Sequence, residues 1–247
     1  GGNSNYNDSI RRTAYVESKG LLYIGTGVSG GEEGARYGPS IMPGGTASAW
    51  PAVKHILQTI AAHVDGVPCC DWISRDGSGH YVKMVHNGIE YGLMQLTAEF
   101  YQVLQSLGSH NNKELSEVYS RWNQGRLQSF LMEITSEIFS TRDPMGEGML
   151  VDHILDKAKQ KGTGKWTSQN AMDLGVPVPT IDISVTMRAI SALKDDRVTA
   201  AERYPKPSLD SMDQGTLEEL CEPAMYFAFL LTYAQGLHLL SEASKSY

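Results

Sequence analysis

Apolar side chains recur every three or four residues over most of the chain after residue 80. The clearest case is the segment 80–107, whose apolar positions are Val82, Val85, Ile89, Leu96, Phe100, Val103 and Leu107. This spacing places them on one face of an α-helix, so we predict one long helix in spite of its internal glycines. The same pattern predicts further helices at roughly 112–123, 126–139, 149–160, 166–174, 180–203 and 216–244.

The first 75 residues have a different pattern, with short apolar runs around one helical segment. The runs LLYIGT (21–26) and CCDWIS (69–74) predict strands, and residues 48–64 predict a helix with Ser48 as N-cap and Pro51 in its first turn. No strand precedes the opening GGNS, so we expect the sequence to begin partway through a domain. The predicted fold is the α/β remainder of a Rossmann-like domain, residues 1–76, followed by a mostly all-α helical domain, residues 77–247.

Composition narrows the class of protein. The 247 residues are 41% hydrophobic and 20% charged, which is typical of a folded globular protein, and the net charge of −7 argues against nonspecific nucleic-acid binding. Cys69, Cys70 and Cys221 have neither metal-ligand spacing nor the pattern of a disulfide framework. A reducing compartment is therefore favoured, and we expect a cytoplasmic protein.

Residues 223–240 form an 18-residue run without Asp, Glu, Lys or Arg, which is long enough to suggest a membrane span. Thr232, Gln235, Gly236 and His238 interrupt the run. We favour a buried helix of the helical domain over a span, and we expect no membrane association.

Gly25, Gly27 and Gly30 have the G-x-G-x-x-G spacing of a dinucleotide-binding turn. Such a turn opens directly into a helix, and we expect that the glycines and prolines of residues 31–45 cannot sustain one. Glu32 and Glu33 would also set negative charge beside a phosphate. We therefore reject a cofactor turn here; close packing of the backbone and approach of a ligand both remain open explanations of the glycines.

The segment KGTGKWT, residues 161–167, resembles a phosphate loop but lacks the spacing of the Walker pattern. Two interpretations stay open: a solvated basic loop, or a glycine-hinged loop that meets an anion through Lys161, Lys165 and backbone N–H groups.

A polar row interrupts the apolar pattern of the long helix. Lys83, Asn87 and Glu90 follow one another at i, i+4 and i+7, with His86 and Tyr91 alongside, so they share one helical face over about 10 Å. The row is either an ordinary solvent face or a functional one. Asn and Gly are unfavourable inside a helix, and an amine and a carboxyl in one row suit general base and general acid chemistry.

Three motifs in this order resemble the 6-phosphogluconate dehydrogenase (decarboxylating) family: GVSGGEEGARYGPSIMPGG, VKMVHNGIEYG and KGTGKW. The likeness extends over essentially the entire chain. The resemblance implies oxidation of 6-phosphogluconate at C3 with NADP, loss of CO2 and formation of ribulose 5-phosphate, without a metal, in the pentose phosphate pathway. It also implies a homodimer.

The resemblance further implies roles for individual residues. Lys83 would be the base and Glu90 the acid that protonates C1 of the enediol. His86 and Asn87 would orient the substrate hydroxyls. The other implied substrate ligands are Ser29, Gly30 and Gly31 at the carboxylate end, Asn3 between substrate and nicotinamide, and Tyr91, Lys161 and Arg188 at the phosphate end.

Two features of the family are missing from this sequence, namely an N-terminal cofactor fingerprint and a C-terminal continuation. We therefore expect an internal fragment that is inactive alone. One alternative is a non-catalytic sugar-phosphate-binding or scaffold protein derived from the family. Another is a related β-hydroxyacid dehydrogenase with a different substrate, which Lys161 and Arg188 disfavour because a substrate without phosphate would not need both.

Overall fold

A computed structural model describes residues 2–159, 161–204 and 208–247. The chain divides into two compact units. The first comprises Gly1–Gly88, Lys161–Pro177 and Gly236–Tyr247, and the second comprises Ile89–Gln160 and Val178–Gln235.

Helices dominate the described residues. They are α1 (Tyr6–Glu17), α2 (Gly31–Tyr37), α3 (Trp50–Ile60), α4 (Ser78–Gly108), α5 (Asn112–Trp122), α6 (Phe130–Ser140), α7 (Thr163–Asp173), α8 (Pro179–Ala192), α9 (Lys194–Arg203) and α10 (Gln214–Ser246). Short 3₁₀ turns occupy Ala47–Ala49 and Leu150–His153. The strands are β1 (Ile24–Ser29), β2 (Ser40–Gly45), β3 (His63–Val64) and β4 (Val67–Pro68).

The strands form two antiparallel pairs in the first unit. Strand β1 pairs with β2 from Ile24 opposite Gly45 to Ser29 opposite Ser40, and β3 pairs with β4. The predicted strand at 69–74 is wrong: in the part of the chain that the structure describes, this segment forms no strand, and isolated parallel bridges occur at Cys70 and at Arg75 just after it. Part of its backbone bonding is taken by a side chain, since Gln58 Nε2 donates to the carbonyl of Cys70.

The expectation that residues 31–45 cannot sustain a helix is wrong for α2. Its seven residues follow Gly30 (φ +139°) and end at Gly38 (φ +125°). Glycine lowers helix stability by about 1 kcal/mol per residue, which is a cost and not a prohibition in so short a helix. A Cβ built on the buried Gly34 would lie 3.5 Å from the carbonyl oxygen of Ser29, so the helix packs closely against the end of β1.

Helix α4 confirms the predicted long helix, and α5, α6, α7 and α10 lie close to their predicted ranges. The helix predicted at 180–203 is broken at Leu193 into α8 and α9, and the one predicted at 149–160 is only a 3₁₀ turn where the structure describes it. Helix α3 has Pro51 in its first turn as predicted, but its N-cap is Ala49 and Ser48 lies in the preceding 3₁₀ turn.

Helix α1 was not among the sequence-based predictions because its residues are mostly polar and form no clear apolar stripe. Its start is marked by Asn5, whose side-chain oxygen accepts a hydrogen bond from the Asn7 backbone N–H. This is the usual role of an Asn N-cap, so Asn5 was the one local feature of the sequence that indicated the start of α1.

The core of the second unit is formed by side chains of α4, α5, α6, α8 and α10. Its fully buried side chains include Leu104, Leu115, Val118, Tyr119, Met132, Ile181 and Met225. The charge-free run 223–240 is helical, as predicted, but it is not a buried helix: Met225 and Thr232 are buried, while Phe227, Leu230 and Leu237 are exposed. Within the described residues, no helix is both long and apolar enough to cross a membrane.

Candidate active site

The glycines of the rejected dinucleotide turn lie against α4. Gly25 and Gly27 alternate along β1 onto one face, and a Cβ built on Gly27 would lie 2.4 Å from the Cβ of Lys83. A Cβ on Gly25 would lie 3.1 Å from Nδ1 of His80, one helical turn before Lys83. Of the two explanations left open by the sequence, close packing accounts for Gly25 and Gly27.

Four predicted site residues form one polar group at the end of β1. The Lys83 side chain is buried, with 5% of the residue surface exposed, and its Nζ lies 3.4 Å from Nδ1 of His86. The other ring nitrogen of His86, Nε2, lies 3.3 Å from Oγ of Ser29. Oδ1 of Asn87 lies 3.3 Å from Nδ1 of His86. An amine, an imidazole, a hydroxyl and an amide are therefore assembled within hydrogen-bonding distance.

Asn87 connects this group to the KGTGKWT segment. Its Nδ2 donates to Oγ1 of Thr163 at 3.1 Å, and Thr163 is buried at the first position of α7. Gly162 precedes it with φ +101°, and Lys161 before that is exposed. The sequence analysis singled out the KGTGKWT segment but not Thr163 itself. The available signal was its position directly after a glycine at the start of a helix.

The remaining predicted residues of the first unit lie around the same strand. Gly30, between β1 and α2, and Gly31, the first residue of α2, are exposed and have φ values of +139° and +57°. Asn3 is exposed, and its neighbour Gly2 donates its N–H to the carbonyl of Thr26 in β1 at 3.1 Å. This bond holds the N-terminal segment beside β1.

His80 is a buried neighbour of this group. Its Nδ1 lies 2.6 Å from Oγ of Ser9 in α1, and burial lowers the pKa of His80 below its ordinary value. The ring is therefore neutral at pH 7 and adds no charge to the turn of α4 that precedes Lys83.

In the second unit, Tyr91 and Arg188 form a second group. The guanidinium carbon of Arg188 lies 3.6 Å from the centroid of the buried Tyr91 ring, which is a close cation–π contact. Nη1 of Arg188 also donates to the carbonyl of Lys159 at 2.8 Å. Glu90, the residue before Tyr91, is half-buried. Helix α4 is unbroken from Ser78 to Gly108, so Glu90 lies in the same helix as Lys83, seven residues after it.

Comparison with protein families covers nearly all of the chain. Residues 79–247 match the family model of the 6-phosphogluconate dehydrogenase C-terminal domain, and residues 1–74 match the NAD binding domain of 6-phosphogluconate dehydrogenase. These matches confirm the predicted fold class, a Rossmann-like α/β segment followed by a mostly helical domain.

Curated relatives of the chain are named 6-phosphogluconate dehydrogenase, decarboxylating. The chain is 50% identical over 250 residues to 6-phosphogluconate dehydrogenase, decarboxylating 1, of Saccharomyces cerevisiae, covering 100% of this chain and 51% of the relative. It is 50% identical over 251 residues to the Caenorhabditis elegans 6-phosphogluconate dehydrogenase, decarboxylating, with 100% and 52% covered. The chain thus spans about half the length of the curated relatives it matches.

Among solved structures, Plasmodium falciparum 6-phosphogluconate dehydrogenase matches with a TM-score of 0.95 and 43% identity, over 100% of this chain and 53% of that one. That protein has been solved in its apo form, with its cofactor NADP⁺ and with its substrate 6-phosphogluconate. A 3-hydroxyisobutyrate dehydrogenase from Salmonella typhimurium matches at 17% identity with a TM-score of 0.53, over 87% of this chain and 66% of that one, and shares the fold alone. The chain therefore belongs to the 6-phosphogluconate dehydrogenase family.

Proposed function

We propose that the chain forms part of an NADP-dependent, decarboxylating 6-phosphogluconate dehydrogenase of the pentose phosphate pathway. Its reaction converts 6-phospho-D-gluconate to D-ribulose 5-phosphate and CO2. The observation that carries this proposal is the buried Lys83 amine beside His86, with Ser29 on the other side of the imidazole ring.

Lys83 is the proposed base of the oxidation. Its amine takes the proton of the C3 hydroxyl as hydride leaves C3, and it then returns a proton to the new carbonyl oxygen while the C1–C2 bond breaks and CO2 departs. A general base must lie within hydrogen-bonding reach of the proton that it removes, and the buried amine lies in the polar group at the end of β1. His86, 3.4 Å from the amine, orients it.

Glu90 is the proposed acid of the last step. It gives a proton to C1 of the five-carbon enediol while Lys83 takes the proton of the enediol hydroxyl, which yields the ketone. Lys83 ends the cycle with one proton more and Glu90 with one fewer, so proton exchange with solvent resets both groups.

The other site residues are proposed to hold the substrate. Ser29, Gly30 and Gly31 would bind its carboxylate through a hydroxyl and backbone N–H groups, and His86 and Asn87 its hydroxyls. Tyr91, Lys161 and Arg188 would bind its phosphate, for which a guanidinium offers paired donors.

The cofactor's pyrophosphate does not fit residues 25–30. Gly25 and Gly27 are occupied in packing against α4, and α2 is only seven residues long with Glu32 and Glu33 in its first turn. Asn3 is the residue that this chain is proposed to offer to the nicotinamide. NADP, when bound, supplies the hydride acceptor of the oxidation.

The proposal also includes a homodimer in the cytoplasm that has no nucleic-acid or membrane partner. It further includes a domain boundary near residues 76–77. Exposed apolar side chains support association, for example Ile183 on α8 and Phe227 and Leu230 on α10. The three cysteines are free, which is compatible with a reducing compartment. Sedimentation at several concentrations would distinguish dimer from monomer.

The test of the function uses the full-length protein with 6-phosphogluconate labelled with ¹⁴C at C1. We expect ¹⁴CO2 and NADPH in equal amounts, with no added metal. Binding of 6-phosphogluconate in a calorimeter without formation of either product would favour the non-catalytic alternative and contradict the proposed enzyme.

A further inference from the structure

Helices α4 and α7 of the first unit meet along a row of polar side chains. Thr163, Thr167 and Asn170 follow one another on α7 at i, i+4 and i+7, so they share one face. They face Asn87, Met84 and Tyr81 of α4 in that order, so the two helices run antiparallel. We call this row of side chains the α4–α7 seam.

The middle of the seam is a close approach of two backbones. Oγ1 of Thr167 lies 2.9 Å from the carbonyl oxygens of both Met84 and Thr163. A Cβ built on Gly88 would lie 2.6 Å from Cγ2 of Thr167, so only glycine leaves room for this side chain.

The far end of the seam is a buried amide surrounded by phenols. Tyr81 donates its hydroxyl to Oδ1 of Asn170 at 2.5 Å. Nδ2 of Asn170 donates to the hydroxyl oxygens of Tyr6 at 2.9 Å and Tyr247 at 2.8 Å. Asn170 therefore joins α7 to α1, to α4 and to Tyr247, the residue that follows α10, and it is almost fully buried.

We propose that Asn170 and Thr167 are positioning residues that fix the axial register of α7 against α4, and so place Thr163 and the Lys161 loop relative to Asn87 and Lys83. The argument is that an apolar helix contact tolerates more than one axial position, whereas buried hydrogen bonds are satisfied in only one. Sliding α7 by one turn would move its residues by about 5.4 Å and would break the hydrogen bonds that these three side chains make to α4.

The register can be measured without substrate. Trp166 lies between Lys165 and Thr167, and its ring would be 3.2 Å from a Cβ on Gly162. The indole N–H of Trp166, assigned by loss of its ¹H–¹⁵N signal in Trp166→Phe, reports on the start of α7. We expect Asn170→Ala and Thr167→Val to shift this signal, and Ser168→Ala, which removes a buried hydroxyl without a hydrogen-bond partner among the described residues, to leave it unchanged.

The effect of Asn170 and Thr167 on substrate binding rests on the proposed function. It is measured as the dissociation constant for 6-phosphogluconate by calorimetry. We expect Asn170→Ala and Thr167→Val to raise it at least tenfold, with Ser168→Ala within twofold of the wild type. If the wild type binds no 6-phosphogluconate, the proposed function fails, while the Trp166 signal still decides the register.

A lowered melting temperature with an unchanged Trp166 signal and an unchanged dissociation constant would show that Asn170 is merely structural and would overturn the inference. If Asn170→Ala does not fold, Tyr81→Phe takes its place, because it removes one hydrogen bond to Asn170 and keeps the ring that packs edge-on against Tyr6. The same shift, smaller in size, is then expected, and its absence overturns the inference.

Discussion

Gly27 of β1 and Lys83 of α4 approach so closely that no side chain fits between them. A Cβ at position 27 would lie 2.4 Å from the Cβ of Lys83 and 2.7 Å from the carbonyl oxygen of Gly79. The strand glycine therefore sets how closely the first turns of α4 pack on β1, and with that the position from which the buried amine extends toward His86.

Replacing Gly27 by Ala is expected to destabilise the protein by about 1–3 kcal/mol, the usual cost of overpacking, because backbone atoms on α4 must move. Urea unfolding measures the change. Gly125→Ala is the matched control, since its nearest contact would be the carbonyl oxygen of Trp122 at 3.7 Å. Equal stabilities of the wild type and Gly27→Ala would contradict this account of the glycine.

The sequence predicted the elements whose signal is local and repeated. Helix α4 carries a long apolar periodicity, and its observed range differs from the predicted one by only two residues at the start and one at the end. Strand β2 was missed because it contains Pro43, Gly44 and Gly45, which are poor strand formers in isolation; pairing with β1 stabilises them. That pairing is a tertiary contact that no local pattern contains.

The candidate site likewise combines features that a local pattern predicted with tertiary contacts that it did not. The helical spacing of Lys83 and Asn87 followed from the sequence, but the contact of His86 with Ser29 joins residues 57 positions apart. The contact of Asn87 with Thr163 spans 76 positions. Neither could be predicted from spacing, and Arg188 was identified only through the family resemblance, because nothing near it in the sequence distinguishes it from a surface arginine.

Arg188→Lys is expected to raise the KM for 6-phosphogluconate about 10–100-fold with a smaller change in kcat. Lysine lacks the planar fork that stacks on Tyr91 and offers paired donors to a phosphate. Steady-state kinetics of the full-length protein measure both constants. Arg126→Lys, which alters an ion pair with Glu222 elsewhere in the second unit, should leave the KM unchanged. A wild-type KM in Arg188→Lys would contradict the assignment of Arg188 as a ligand of the substrate phosphate.

The tyrosines around Asn170 predict a loss of stability at high pH. Burial raises the pKa of Tyr6 to about 12 and also raises the pKa of Tyr81. The folded state therefore keeps these protons where the unfolded chain, with a tyrosine pKa near 10, releases them. Their contribution is complete below about pH 10 and falls as pH rises toward 12.

The measurement compares the free energy of unfolding of the wild type and Tyr81→Phe at pH 8, 10 and 11. The difference between the two proteins should shrink as pH rises, because phenylalanine has no proton to lose. A difference that stays constant over this range would show that Tyr81 titrates alike in both states.

Asn111→Ala is expected to lower the free energy of unfolding by about 1 kcal/mol, the usual value of a helix N-cap. Oδ1 of Asn111 accepts from the Glu114 N–H at 3.1 Å, and Oε2 of Glu114 accepts from the Asn111 N–H at 2.8 Å, so a complete capping box begins α5. Asn111→Ser retains an acceptor and should keep most of the stability in thermal unfolding. Equal losses in Ala and Ser variants would mean that the cap hydrogen bond is not the cause.

The proposed base is tested most directly by Lys83→Met in the full-length protein, with oxidation of 6-phosphogluconate followed as NADPH formation. Methionine fills a similar space and removes the amine, so we expect kcat to fall by about 10²–10⁴-fold, the usual contribution of a general base, while the protein remains folded. The exposed Lys54 on α3 supplies the control, and Lys54→Met should retain wild-type kcat. Wild-type turnover in Lys83→Met would contradict the assignment of Lys83 as the base.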